Sequence, residues 1–344
     1  MNTNAGIIKI PVEMYYMIAV RGEIEVKIGI PRALAYYAYY PFLTTFFEKL
    51  GLEVVVSDET TKEIMDMGIE DTITDACVPI KLFHGHVRNL MDRVDYVLVP
   101  RLVSINREAT FCPKFLGLPD MLSCSISKFK NMLEVRIDLK KSRFELFMIC
   151  MRLARKFKKG FFLAYNAYLR ALLSFKNYTH QFLQGGIPPL GILGQKKNNP
   201  IHLAVVGYPY MLYDPYLSLD LIKKLISMGV YVVTPEMLCE RDKKKQASKL
   251  KKTLFWTFSN EVIRSAYCLF ENRTVDGIIH VTAFGCGPDF IVDKLMEIDA
   301  KRYKMPYLNI TLDEHTGQEG LNTRLEAFVD MLKIKKAKKE AALA

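Results

Sequence analysis

Val26-Lys-Ile-Gly-Ile-Pro-Arg32 leads through a helical stretch to Leu50-Gly51 and then to Val54-Val-Val-Ser-Asp58. Leu203-Ala-Val-Val-Gly-Tyr-Pro209 leads through another to Met228-Gly229 and then to Val232-Val-Thr-Pro-Glu236. Each passage reads as strand, helix, strand, because short β-rich apolar runs alternate with amphipathic stretches. Gly29 and Gly207, Pro31 and Pro209, Gly51 and Gly229, and Asp58 and Glu236 are all 178 positions apart. Gly51 and Gly229 stand where a helix C-cap is expected. A second pair of strands continues the echo, Val94-Asp-Tyr-Val-Leu-Val-Pro100 and Val275-Asp-Gly-Ile-Ile-His-Val281. The fold expected is α/β: two Rossmann-like (βα) halves with parallel sheets, and a helical insertion between them.

Working outward from these passages, the first α/β half is expected over residues 26–125 and the second over 200–332. Residues 126–199 read as a basic helical segment ending in linker signals, Gln184-Gly-Gly-Ile-Pro-Pro-Leu190 and Asn198-Asn-Pro200. Residues 1–25 read as an N-terminal extension and residues 333–344 as a Lys/Ala tail. The net charge of +11 is concentrated in the middle. Residues 126–199 hold 15 Lys/Arg against Glu134, Asp138 and Glu145, so the rest of the chain is close to neutral. Such a segment is either a solvated helical face or a surface for anionic groups such as CoA phosphates, an acidic partner or, as the weakest option, nucleic acid.

Half the residues are hydrophobic and a quarter are charged, which is globular rather than disordered composition. No run of 18 apolar residues occurs, and Asn166 and Arg170 break the best candidate, Gly160 to Phe175, so no membrane span is expected. No nucleic-acid recognition motif appears, so no nucleic acid partner is expected. The seven cysteines are odd in number and scattered, and the N-terminus lacks the regions of a secretory signal. A cytoplasmic protein with reduced thiols or thiolate ligands is expected rather than a disulfide framework.

Three cysteines share a local chemistry: Asp75-Ala-Cys77-Val-Pro79, Phe111-Cys112-Pro113 and Gly285-Cys286-Gly-Pro-Asp289. Each has a proline one or two positions later, and proline is tolerated in the first turn of a helix. A thiolate at a helix N-terminus gains from unpaired N–H groups and the positive end of the dipole. Cys112 and Cys286 each follow a predicted strand, and ligands of open α/β sheets collect beyond strand carboxyl ends. Cysteines from both halves are therefore expected to meet in the cleft between them. Cys124, Cys150, Cys239 and Cys268 lack the signature and are expected to be buried as small hydrophobes.

Ile28-Gly-Ile-Pro-Arg-Ala-Leu34, Cys77-Val-Pro-Ile-Lys-Leu82, His84-Gly-His86, Phe284-Gly-Cys-Gly-Pro-Asp289 and Leu312-Asp-Glu-His-Thr-Gly317 together resemble the acyl-CoA dehydratase activase-related family. That family is related to the 2-hydroxyacyl-CoA dehydratase subunits and the double-cubane-cluster proteins. The resemblance runs from about Val26 to Leu332. It implies one [4Fe–4S] cluster, held at a domain interface by Cys77, Cys112 and Cys286, and low-potential electron transfer to a CoA-thioester or another small substrate. Many members carry this module after an ATP-dependent activase domain. Gly191-Ile-Leu-Gly-Gln-Lys196 lacks Walker-loop spacing and its Ser/Thr, so the energy is expected from a separate activase. The partners implied are that activase or dehydratase subunits, with an acyl-CoA as substrate and a dimer as one option.

Glu314 and His315 follow the predicted strand Pro306 to Leu312 and are candidate acid–base residues, with loop solvation the plainer reading. His84 and His86 are two apart, so a helix would pack one and expose the other. Trp256 reads as an apolar anchor. Beside an enzyme, a non-enzymatic accessory or electron-relay protein fits the sequence, and so does a cluster-free α/β ligand binder.

Overall fold

The computed structural model describes residues 26–142, 144–195, 199–247 and 254–341. The expected extension over residues 1–25 lies outside these. The first half runs β1 (Lys27–Ile30), α1 (Tyr36–Lys49), β2 (Glu53–Val56), α2 (Lys62–Glu70), α3 (Val78–Met91) and β3 (Tyr96–Ser104). Two short helices follow, α4 (Pro113–Leu116) and α5 (Leu118–Ser125), then β4 (Met132–Asp138). The long pair α6 (Phe144–Lys156) and α7 (Phe161–Leu183) leads to the second half. That half runs β5 (Ile201–Gly207), α8 (Pro209–Tyr213), α9 (Leu221–Ser227), β6 (Val230–Val233), α10 (Glu240–Ala247) and α11 (Thr257–Asn272). It ends with β7 (Gly277–Ala283), α12 (Gly287–Tyr303), β8 (Tyr307–Leu312) and α13 (Gln318–Ala341).

The two sheets have orders β2-β1-β3-β4 and β6-β5-β7-β8, and every pairing is parallel. The duplicated plan expected from the 178-residue offset is therefore the observed topology. Gly51 and Gly229 end their helices with φ of 71° and 78°, as the capping argument requires.

One expectation needs correction. The segment from residue 126 does not begin as helix: Met132–Asp138 is a strand that completes the first sheet beside β3. Leu133 and Val135 are buried between exposed Glu134 and Arg136, a period of two that suits an edge strand. Helix takes over only from Phe144. The Lys/Ala tail continues α13 as far as Ala341.

One face of the first sheet (Ile28, Ile30, Leu98, Leu133) packs on α1, α6 and α7. Its other face joins a core that runs without interruption into the second half, from Ala33 to Leu332. The crossing of α2 and α3 sets where Cys77 stands. A Cβ on Gly68 would lie 1.9 Å from the Lys81 carbonyl oxygen, and one on Gly85 would lie 1.8 Å from that of Ile64. The two helix backbones touch through these glycines, and no side chain can yield to make room. Gly85→Ala is therefore expected to cost about 2 to 3 kcal/mol, read as a lower urea midpoint with an unchanged m-value.

Candidate functional site

Cys77, Cys112 and Cys286 are the N-cap residues of α3, α4 and α12, with extended φ/ψ and a proline in the first helical turn. They line one cavity, whose walls are largely aromatic: Phe111, Phe115, Tyr208, Tyr210, Trp256 and Phe258. The cavity has a volume of about 30 Å³, room for roughly two water molecules. The cavity lies beyond the carboxyl ends of β1, β5 and β7, the switch-point position where open α/β sheets take ligands.

Local geometry brings the cysteines there. Gly285, with φ of 75°, lays its backbone on Cys77: a Cβ built at Gly285 would sit 3.7 Å from the Cys77 Cα. Cys286 is thus delivered by the second half to the start of the first half's α3. On the Cys112 side, Thr110 N–H donates to the Phe255 carbonyl at 2.9 Å, and Thr257 N–H donates to the Thr110 carbonyl at 2.8 Å. This bridge between the halves carries Trp256 to the cavity wall. Lys114 Nζ reaches the Asp75 carbonyl at 3.4 Å and ties the Cys112 turn to the Cys77 turn.

Burial pushes all three thiols above their ordinary pKa. Asp289 and the other two sulfurs raise Cys286 further, whereas Lys114 pulls Cys77 and Cys112 down. First-turn N–H groups favour each thiolate: Ile80 for Cys77, Lys114 and Phe115 for Cys112, and Asp289 for Cys286. None closes a full capping hydrogen bond. Among the described residues, Lys114 is the one charged side chain lining the cavity. Tyr210 is buried, and its hydroxyl feels all three sulfurs.

The donor set suits a group that takes several thiolates, carries net negative charge and tolerates apolar walls. Among the described residues, no three His, Cys, Asp or Glu side chains are arranged to hold a single metal ion. An iron–sulfur cubane asks for something different, since each thiolate binds its own iron. The three thiolates and the apolar walls would fit such a group, with Cys77, Cys112 and Cys286 as the residues that would hold it.

Of the other cysteines, Cys150 and Cys268 are buried as expected. Cys124 and Cys239 are exposed, which corrects the reading of all four as core residues. The histidine expectation also changes, because His84 and His86 are both buried: α3 is packed on nearly every side. His84 Nδ1–H donates to the Ile80 carbonyl at 2.8 Å. Ser57 accepts from the Arg32 N–H and donates to His86 Nδ1. His86 Nε2–H then donates to Thr60, whose hydroxyl donates to buried Asp214 of the second half at 2.6 Å. Burial depresses the His86 pKa to about 3, so the ring is neutral in this chain of bonds.

Glu314 accepts from Lys81 Nζ at 2.6 Å, and the pair is largely buried, at 15 % and 7 % exposure. Lys81 belongs to the helix that Cys77 caps, so the pair fastens the two halves beside the cavity. Asp313 accepts from Thr316 and from the His315 N–H. His315 is exposed, and neither Glu314 nor His315 lines the cavity. Lys114, Tyr208 and Tyr210 were not singled out by sequence reasoning. The offset could have drawn attention to Tyr208 and Tyr210, since they flank Pro209, the counterpart of Pro31.

A family model described as an uncharacterised domain of CoA enzyme activases matches residues 27–238. One for the D-component of 2-hydroxyglutaryl-CoA dehydratase matches residues 218–332. Cys77 and Cys112 fall in the first match and Cys286 in the second. No curated protein matches the chain.

Proposed function

The chain belongs to the CoA enzyme activase domain family, and from that premise we propose that it is an iron–sulfur protein of a 2-hydroxyacyl-CoA dehydratase system. In this reading Cys77, Cys112 and Cys286 hold one [4Fe–4S] cluster. The single observation that carries it is that three N-capping cysteines, two from one half and one from the other, line the same aromatic cavity. Such a cluster, when bound, supplies a low-potential electron and, at an iron without a protein ligand, a Lewis-acid position.

The chain's own residues prepare the place. The first-turn N–H groups and Lys114 favour the thiolate forms against the cost of burial. The aromatic walls make the surroundings largely apolar, which strengthens electrostatic interactions inside. The bridge at Thr110 and the Lys81–Glu314 pair keep the halves together around the cavity. His315 is exposed on its loop and is the candidate for proton exchange with solvent, whereas Glu314 is engaged by Lys81. The substrate is a CoA-thioester or another small acceptor, the electron comes from a separate ATP-dependent activase, and dehydratase subunits are the further partners. The second reading is an accessory or electron-relay protein docking on those components, which the small volume of the cavity favours.

Anaerobic purification and reconstitution test the cluster. The expected result is a brown protein with iron and acid-labile sulfide in about equal amounts, near four of each per chain. A colourless protein that binds no iron under these conditions overturns the proposal.

A further inference from the structure

The exposed face of the α6–α7 hairpin plays no part in the site above. Helix α7 carries two apolar stripes on opposite sides. Its inner stripe is small: Ala164, Ala167 and Ala171 are buried in the core shared with α1, and Tyr178 and Phe182 anchor the C-terminal end. Its outer stripe is large and faces solvent: Phe162, Tyr165, Leu169, Leu172 and Leu173, at helical spacing. Exposure peaks at the turn between the helices, at 61 % for Phe161 and 86 % for Phe162. Phe144 and Met148 extend the exposed apolar surface along α6.

The charges around this surface have one sign. From Phe144 to Leu183 there are seven Lys/Arg and a single acid, Glu145. Arg152, Arg155, Lys158, Arg170 and Lys176 form no ion pair among the described residues, although ion pairs are frequent elsewhere in the molecule. A second copy of the chain would bring these cations against one another, which opposes self-association through this face. The most exposed apolar side chains of α7, Phe161 and Phe162, follow a turn that carries Lys156, Lys158 and Lys159; Lys156 lies over the Tyr96 ring and Lys159 donates to the Gly51 carbonyl, so Arg155 and Lys158 are the cations left without a partner beside them. Exposed aromatic and aliphatic side chains among unpaired cations suit an apolar medium covered by anions.

We propose that the α6–α7 hairpin is a peripheral attachment site for anionic lipid surfaces. Phe161, Phe162 and Leu163 enter the acyl boundary, and Arg155 and Lys158 meet the headgroup phosphates. Attachment needs no spanning helix, and no described helix is long and apolar enough to cross a membrane.

The test is co-sedimentation of the full-length chain with vesicles of phosphatidylcholine alone, or with about a third phosphatidylglycerol. The wild type is expected to bind the anionic vesicles about tenfold better than the neutral ones and to be released by high salt. Phe161→Ser/Phe162→Ser and Arg155→Glu/Lys158→Glu are each expected to lower binding about tenfold. The altered side chains are exposed, and unchanged circular dichroism melts would show that the variants fold. Absence of binding to anionic vesicles, or equal binding by wild type and both variants, overturns the proposal. So does a wild-type dimer that the Phe161/Phe162 variant converts to monomer while vesicle binding stays at background, because a second copy then covers the face.

Discussion

Single replacement of Cys77, Cys112 or Cys286 by alanine is expected to remove most or all of the iron that the wild-type chain takes up on anaerobic reconstitution. The same change at Cys124, Cys150, Cys239 or Cys268 should leave iron and sulfide content unchanged. The contrast follows from placement: the first three cap helices around one cavity, whereas Cys150 and Cys268 are core side chains and Cys124 and Cys239 face solvent. Burial raises all three cavity thiols, so cluster uptake must displace their protons and should weaken as pH falls. Iron and sulfide analysis, with the visible charge-transfer band, reads the effect. Full iron content in any of the three variants would remove that residue from the ligand set. Unfolding is separable from ligand loss by the melting curve, since each side chain is only partly buried.

The duplicated topology was legible because the two halves repeat the same spacing of glycine, proline and strand. A pattern seen twice at one offset is hard to mistake for chance periodicity. The site was legible in part for a related reason: a proline just after a cysteine marks a helix start, and all three marked cysteines are N-caps. Strand β4 was missed because the helical periodicity that begins at Phe144 was extended back over the whole basic tract, across the short alternation that turns Leu133 and Val135 inward. The double burial of His84 and His86 was missed for a different reason. Spacing two apart guarantees one exposed ring only on a helix with a free face, and α3 lies between the halves with almost none. Lys81 and Glu314 are 233 positions apart, and nothing local announces their pairing. Such contacts come from how the halves dock.

Replacing His280 by leucine is expected to cost about 3 to 5 kcal/mol, because it strands a buried carboxylate. His280 stands in the middle of β7, fully buried, with Nε2 3.3 Å from Asp289 Oδ1 and Nδ1 3.4 Å from Asp293 Oδ1. Asp293 also accepts from Tyr307 and Asn309, but the Asp289 carboxylate accepts no hydrogen bond among the described residues and is fully buried. The imidazolium is thus the group that balances the Asp289 charge. Burial alone would depress the His280 pKa, yet Asp289 and then Asp293 outweigh it and hold it up at about 9. Its ordinary value is 6.5. Because the folded value is the higher one, the stabilisation is complete below about pH 6.5 and is lost as pH rises through about 9. A loss of about 3 kcal/mol across that window is expected in the wild type. The His280→Leu variant should lack this slope. Adding Asp289→Leu should recover much of the stability, because the stranded charge goes with its partner. Urea titrations of the wild type, both single variants and the double variant at pH 6 and pH 9 close the cycle. If His280→Leu costs the same with and without Asp289, the pair is uncoupled and this account of β7 fails. Asp289 lies in the first turn of the helix that Cys286 caps, so the ion pair that holds strand to helix also holds the third cysteine at the cavity.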